Sequence, residues 1–487
     1  MPSSSKATQT VNIVGAGVFG LSSALHLALD GFQVTLFDRN DLLATQYSSV
    51  INDGASCDMN KIVRTAYGGD TLIQSWANES LREWQKWDEE RRKAGKEEPL
   101  LDLCGYARLD NAPQHRSYEA GHLAYCDANG TRHTQYDLTL DEDQRRAARD
   151  GWAAKMDAFT RPKGTIGVLD STAGVVRAAD ACHYLARRLA DELGVRFVTG
   201  ETQGRFSHWL DGNSTSFVTA DGRTHHADRV VMALGPWSAE HVPELRPNLE
   251  ATAGSVMIFE IDAERTDLLA RHDAAHMPIL HIKPGHDIEV ESDGGVYAFP
   301  HQGGLLKIGS RGVRYTNPSH DSLPYSRPIT SVTSPSLAAV PRPAAIGVAR
   351  FIANHFPHLV EPDESKGNAL PIKLVRTRLC WYTDTYDKNF FICELPFRPG
   401  VVLCTGGSGH GFKFLPVLGQ VTLDVIKGRQ TALTDRFRWR TRPQQAREAV
   451  TAHSSLLYDH DLIAAANVPA ERLFQAAVTP AETQARL

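Results

Sequence analysis

Two stretches of this sequence carry groups suited to chemistry on their own terms. In "VNIVGAGVFG" four β-forming residues run into Gly15-Ala16-Gly17-Val18-Phe19-Gly20, and "LSSALHLALDG" follows with helical spacing. Gly15 permits a tight turn, Gly17 lets the backbone approach a pyrophosphate, and Gly20 lets helix and strand pack closely. The helix N-terminus adds partial positive charge. A second strand, "FQVTLF", ends on Asp38, whose carboxylate can accept both hydroxyls of a ribose. Strand, glycines, helix, strand and acid in register make a dinucleotide site. The second stretch is "VRTRLCWYTDTYDKNFFI", where Cys380 follows Arg376 and Arg378. A thiolate is the reactive form of cysteine and nearby cations favour it. Strand alternation could instead place those arginines on the opposite face and leave Cys380 a small buried hydrophobe.

The elements that must position these groups come in pieces. The segment after Asp38, "RNDLLATQYSSVINDGASCDMNKIVRTAYGG", is polar and poorly periodic. It suits a loop laid along an extended flavin cofactor better than an immediate βαβ continuation, which tilts the choice from NAD to FAD. Residues 72–99 have the spacing of an exposed amphipathic helix, and a helix is expected from Ala178 to Leu193 followed by a strand. "DRVVMALGPWS" is a buried strand, residues 251–314 are strand-rich, and residues 316–345, rich in Pro and Ser, read as a long surface loop. "GVVLCTGGSGHGFKFLPVLGQVTLDVIKG" returns to strand, glycine-rich turn and helix. The expected domains are therefore discontinuous: 1–70, 160–250 and 370–435 bind the nucleotide, 71–159 and 251–369 form a substrate domain, and 436–487 are a C-terminal tail. The site should lie between the two.

Composition excludes some classes. At 487 residues the chain is too long for one ordinary core, and a net charge of −5 gives no general attraction to nucleic acid or anionic membrane. Seven scattered cysteines, an odd number, make no disulfide framework and point to a reducing compartment. The apolar stretch Val11–Leu29 is interrupted by glycines and His26, so neither a signal peptide nor a membrane span is expected. The histidines lack metal-ligand spacing, so no metal is expected. The basic run from Arg436 reads as a solvated surface tail.

Taken in order, "GAGVFGLSSALHLA", "MNKIVRTAYG", "GVVRAADACHYLARRLADELGVRFVTG", "YAFPHQGGLLKIG", "LCWYTDTYDKNFFI" and "GGSGHGFKFLPVLG" resemble the covalent-flavin amine oxidases of the D-amino-acid-oxidase fold superfamily. That group includes monomeric sarcosine oxidase, pipecolate oxidase, fungal saccharopine oxidase and fructosyl amino acid oxidase. The resemblance runs from about Val11 to Gly428. It implies an α/β fold in which a Rossmann-like FAD-binding domain is interleaved with an antiparallel-sheet substrate domain. It further implies that Cys380 bonds to the 8α carbon of FAD, and that Gly15, Gly17, Val18, Phe19, Gly20, Asp38, Arg39, Ser48, Ser49, Lys61, Val176, Gly235, Trp237, Gly407, Gly409, Gly411, Phe412 and Lys413 hold the cofactor.

The same resemblance assigns catalytic positions. Lys307, in "GGLLKIG", would face the flavin ring and stabilise the anion formed when oxygen takes an electron, although alone it could be a strand-edge lysine reaching to water. Four residues on, the sarcosine oxidase branch has a histidine where this chain has Arg311. Arg64 and Lys413 would clamp a substrate carboxylate, the guanidinium by its planar fork and the ammonium as a point charge. Their structural alternative is ion pairing with acids such as Asp58 or Asp70. Lys61 would lie near flavin N5, with His410 and Tyr297 lining the pocket. The implied function is an FAD-dependent oxidase of a secondary amino acid, giving an imine and hydrogen peroxide from oxygen. "LCWYTDTYD" and "GGSGHGFKFLP", together with Arg64, look closest to the saccharopine and pipecolate branch, whereas "GVRFVTGETQGRF" looks more like the fructosyl branch, which often lacks an arginine at the Arg64 position. A tailoring oxidase, a flavin dehydrogenase with another acceptor and a non-catalytic FAD scaffold are the rivals. The expected partners are a small amino acid and oxygen, without nucleic acid or membrane, in a monomer. The terminal Ala485-Arg486-Leu487 is a variant of a peroxisomal address, with the cytoplasm as the alternative.

Overall fold

The computed structural model describes residues 8–52, 54–283, 295–318, 325–329, 339–443, 454–465 and 470–478. Parts of the proline-rich segment and of the tail, including Ala485 to Leu487, lie outside the described residues. Among those described, no helix is long and apolar enough to cross a membrane.

Strand β1 (Thr10–Val14), helix α1 (Val18–Leu29) and strand β2 (Gln33–Asp38) form the expected unit. β1 and β2 pair in parallel, Val11 opposite Val34 and Val14 opposite Phe37. Their sheet has six strands, adding Arg229–Met232, Arg398–Thr405 and Phe391–Leu395 beyond β1 and Arg196–Thr199 beyond β2. Val11, Ile13 and Val14 are buried, as a parallel strand covered on both faces requires. The helix Thr71–Lys93 packs its Trp76, Trp84 and Trp87 into the core around α1. It is thus an amphipathic helix of this half of the molecule, although its sequence position had suggested the substrate domain.

The second sheet is mostly antiparallel. Its central ladder joins Leu249–Ile261 to Leu305–Thr316 on one side and Ile372–Thr385 on the other. Two strands depart from the domain boundaries expected from sequence. Ile166–Asp170 and Ile372–Thr385 fall in segments assigned to the nucleotide domain, yet both are strands of this sheet. The C-terminal end of the expected surface loop also differs. Ala339–Pro341 is a buried strand, and a helix with a buried apolar face begins at Arg342 and runs to His355.

Period-two alternation sorts the second sheet into a core face and a site face. Leu306 and Ile308 join the core with Val348 and Phe351 of that helix. Lys307, Gly309 and Arg311 therefore point the other way. Opposed residues of an antiparallel pair share a face. Ile258 lies opposite Lys307 and Arg376, Val256 opposite Arg378, and Gly254 opposite Cys380. Arg376, Arg378, Cys380 and Tyr382 thus share the site face, which corrects the possibility that the arginines lie behind Cys380.

Candidate active site

A cavity of about 1080 Å³ runs between the two sheets and is lined by both. At one end lie Gly15, Gly17, Val18, Phe19, Asp38, Arg39, Gly235 and Trp237. Gly15 has φ +105°, and a Cβ there would come 2.4 Å from the Ala233 carbonyl oxygen. A Cβ on Gly20 would come 1.8 Å from the Gly15 carbonyl oxygen, which explains a glycine that packs rather than lines. Ser56 Oγ accepts from the Val18 N–H at 2.8 Å, so the 39–59 segment closes over the start of α1. Asp38 accepts from the Ala16 N–H at 2.9 Å and the Asn40 N–H at 2.8 Å. Burial nonetheless pushes its carboxyl above the usual range, against those hydrogen bonds. A side-chain-free cradle, an acid at the end of β2 and a long cavity fit FAD. Ser48, Ser49 and Val176 do not line the cavity. Ser49 Oγ accepts from Arg376 Nη1 at 3.1 Å, and Val176 lies opposite Lys61 in a small antiparallel sheet.

At the other end a buried carboxylate organises two lysines. Lys307 Nζ donates to Asp58 Oδ2 at 2.7 Å and to the Asn60 carbonyl at 2.8 Å, and both side chains are 1% exposed. Lys61 Nζ donates to the same Asp58 oxygen. Lys61 lines the cavity beside Lys307 and lies 3.5 Å from Cys380 Sγ. Burial opposes the Asp58 charge, but the two ammonium groups hold its carboxyl far below the ordinary range. Burial pulls Lys307 down to about 8 even with Asp58 beside it, and repulsion from the Lys61 ammonium lowers it further. Lys61, more strongly tied to Asp58, is held above the ordinary lysine range despite burial. Lys307 is therefore no strand-edge lysine reaching to water. Cys380 itself is 1% exposed and packs with Val256 and Ile258, just behind the wall formed by Ala55, Lys61 and Tyr382.

Arg64 and Lys413 meet neither Asp58 nor Asp70. Arg64 Nη1 donates to the Ala66 carbonyl and, at 2.5 Å, to Tyr118 Oη. Asp70 pairs with Arg436 instead. Lys413 Nζ donates to Tyr67 Oη at 3.2 Å and to the His410 carbonyl at 2.9 Å. Both cations stand over the Tyr67 ring, at 4.9 and 5.4 Å from its centroid. Among the described residues neither has a carboxylate partner. Burial, reinforced by Arg64, pushes the Lys413 ammonium well below the usual lysine range. His410 Nε2 donates to the Lys388 carbonyl at 2.9 Å, which leaves Nδ1 to accept from Tyr67 Oη at 3.0 Å. Burial and the Lys413 charge hold that imidazole down at about 3, so it is neutral. The backbone of Lys413 is pinned from the Thr71–Lys93 helix, where Trp84 Nε1 and Ser80 Oγ both donate to its carbonyl.

Gly407, Gly409, Gly411, Phe412, Tyr297 and His410 all line the cavity. A Cβ on Gly411 would stand 2.9 Å from the Phe19 ring, so this turn closes directly on α1. Tyr297 Oη lies 3.3 Å from Tyr382 Oη. Asp58, Tyr67, Tyr118 and Tyr382 are site residues that carried no site assignment from sequence. Tyr382 could have been found, since it sits two positions after Cys380 on one strand. The tyrosines at 67 and 118 gave no signal, because their roles depend on folding distant segments together.

This combination of dinucleotide cradle, cavity between the two sheets and buried cations defines a flavin-dependent oxidoreductase. The chain belongs to the FAD dependent oxidoreductase (DAO) family, which it matches over residues 10–425. It is 26% identical over 465 residues to the L-saccharopine oxidase of Schizosaccharomyces pombe, covering 89% of this chain and 93% of that protein. It is also 26% identical over 416 residues to an N-methyl-L-tryptophan oxidase of Salmonella arizonae, covering 85% and 93%. A modified fructosyl peptide oxidase from Aspergillus nidulans shares the fold at TM-score 0.75 and 22% identity, covering 93% of this chain and 99% of that one.

Proposed function

We propose that this flavoenzyme oxidises a secondary α-amino acid at its C–N bond, with oxygen as electron acceptor and hydrogen peroxide as product. The observation that carries the proposal is the pair Arg64 and Lys413, cations on the cavity wall that have no carboxylate partner among the described residues and line the same cavity as Lys307. Such a pair suits the α-carboxylate of a substrate through charge-assisted hydrogen bonds. FAD, when bound, accepts the hydride and passes the electrons to oxygen. The chain's residues hold the substrate carboxylate at Arg64 and Lys413, keep His410 neutral beside it, and fix Lys307 against Asp58. The names of the matched relatives, oxidases of N-substituted amino acids, support the same reading. The saccharopine-type reading is preferred to the fructosyl one because the chain has an arginine at 64, on the cavity wall, a position where the fructosyl branch often lacks one.

Anaerobic flavin bleaching across a panel of secondary amino acids tests the function. With one active substrate, the free acid should outperform its amide and ester. A single charge-assisted contact contributes about 1.5–3 kcal/mol, so its loss should weaken binding roughly tenfold to a hundredfold. Arg64→Lys should be impaired nearly as much as Arg64→Ala, because the fork is lost. A carboxylate lacking an amine should bind more tightly as pH falls, since Lys413 must hold its proton to bind it. Equal affinity for acid, amide and ester would remove the pair from the substrate site.

We further propose that FAD is bonded through its 8α carbon to Cys380. The position of Sγ just behind the cavity wall, 3.5 Å from Lys61 Nζ, supports this. Protein precipitated in acid should stay yellow, and its flavin peptide should contain Cys380. Cys380→Ala should release the colour while retaining FAD in the native protein. Free flavin in the acid supernatant of the unmodified protein would refute the bond.

A further inference from the structure

Arg64 is held from one edge only. Its Nη1 is taken by the Ala66 carbonyl and by Tyr118 Oη at 2.5 Å, and Tyr118 Oη in turn donates to the same carbonyl at 2.5 Å. The guanidinium lies between two rings, 4.9 Å from the Tyr67 centroid and 5.7 Å from that of Tyr118. Among the described residues Nε and Nη2 have no acceptor, and neither is closed off from the cavity that Arg64 lines. One edge is anchored, and the edge that forms a fork for a carboxylate is open. Tyr118 is not itself a lining residue of that cavity.

The anchor is neutral and closely seated. Burial, despite the Arg64 charge, keeps the Tyr118 phenol above its ordinary range, so it stays protonated and leaves the positive charge uncompensated. Glu119, the next residue, is bound by Arg108 through Nε and Nη2 at 2.9–3.1 Å and by Lys283, so its charge is balanced within that buried cluster. The helix that carries Tyr118, Ser117–Ala128, rests on the turn that follows Arg64. Gly68 in that turn has φ +60°, and a Cβ there would stand 2.7 Å from the Tyr118 ring. A Cβ on Gly121 would stand 2.7 Å from the Gly68 carbonyl oxygen. Two glycines thus let helix and turn approach until the phenol reaches Arg64.

We propose that Tyr118 is the positioning residue of the carboxylate site: it fixes the Arg64 guanidinium so that its Nε and Nη2 edge meets the substrate carboxylate. This deepens the carboxylate reading of Arg64 and rests on it. Tyr118 acts through Arg64 and not on the substrate. Holding the end of a long side chain before the carboxylate arrives reduces the conformational freedom lost on binding, and it keeps the planar fork in register.

The test measures dissociation constants of propionate and 3-phenylpropionate, each against its own amide, from perturbation of the flavin absorption band in the FAD-loaded enzyme. Tyr118→Phe removes the hydroxyl and keeps the ring beside Arg64. The acids should bind roughly tenfold more weakly to it than to the unmodified enzyme, the scale of one hydrogen bond to a charged group, and the amides should change far less. In an Arg64→Ala background, Tyr118→Phe should add almost nothing for the acids, since the hydroxyl then has no guanidinium to hold. A general structural role would weaken acid and amide alike and would persist without Arg64. Either that pattern or an unchanged acid preference in Tyr118→Phe would overturn the proposal. Should Tyr118→Phe not fold, Gly121→Ala decides. It keeps the hydroxyl but presses its helix off the Gly68 carbonyl, and it should erode the acid preference in the same selective way; retention of the full preference would overturn the proposal. Equal binding of acid and amide by the unmodified enzyme would remove Arg64 from the substrate site, and this proposal with it. An acid preference that ignores Tyr118 would leave Arg64 in place and remove Tyr118 alone.

Discussion

Lys307→Met should slow reoxidation of the reduced enzyme by oxygen about 100- to 1000-fold, the scale on which removing one preorganised charge acts in an active site. Reduction by substrate should change far less, because hydride transfer needs no cation at that position. The expectation follows from the burial of Lys307 and its two fixed acceptors, Asp58 Oδ2 and the Asn60 carbonyl, which hold the ammonium in one place. Its titration adds a second signature. Burial lowers Lys307 to about 8, so the ammonium is present below that pH and is lost above it. The oxygen half-reaction should therefore fall as pH rises through about 8. Substrate reduction should move the opposite way, since the reacting amine must be neutral. Stopped-flow traces of the two half-reactions against pH separate these effects. Equal slowing of both in Lys307→Met would give the lysine a structural role only.

What could be read from sequence follows how local each feature is. β1, α1 and β2 are contiguous and periodic, so the cradle and Asp38 were legible at once. The second sheet was visible as strand-rich sequence, but its membership was not. Ile372–Thr385 opens the segment 370–435 that sequence assigned to the nucleotide half, yet it pairs with Leu249–Ile261. Pairing is a long-range choice that local pattern cannot make. The alternation argument about Cys380 failed for a simpler reason. Arg376, Arg378 and Cys380 are spaced by two, and a regular strand puts such residues on one face. The competing ion pairs with Asp58 or Asp70 were reasonable for Arg64 on proximity in sequence, but not for Lys413. Folding instead gave Asp58 to Lys61 and Lys307, and Asp70 to Arg436. The segment Thr71–Lys93 was recognised as an amphipathic helix. Its use, with Trp84 and Ser80 fixing the backbone of Lys413, needs contacts across more than 300 positions of chain and has no sequence signature.

Asp58→Asn should be the most disruptive conservative change in the site. The amide keeps the shape and can still accept a hydrogen bond, but it leaves two buried ammonium groups without a counter-charge. Breaking a buried pair from one side costs about 3–5 kcal/mol, against a total stability of about 5–15 kcal/mol for a typical domain. Urea unfolding of the FAD-loaded protein should show a loss of that order. The sign with pH is fixed by the pairing. Asp58 is held far below its unfolded value, so its contribution is complete above the ordinary carboxylate range and fades as pH falls through it. The advantage of the unmodified protein over Asp58→Asn should therefore shrink in acid. Lys307 gives an independent reading. Without the Asp58 charge, the main offset to burial and repulsion from Lys61 is gone, so its ammonium should deprotonate below 8. The alkaline fall of the oxygen half-reaction should then move to lower pH in Asp58→Asn and return toward its original position in Asp58→Glu. A variant with unchanged stability and an unmoved pH profile would mean that the two lysines do not depend on Asp58. The oxygen step would then need a different charged partner.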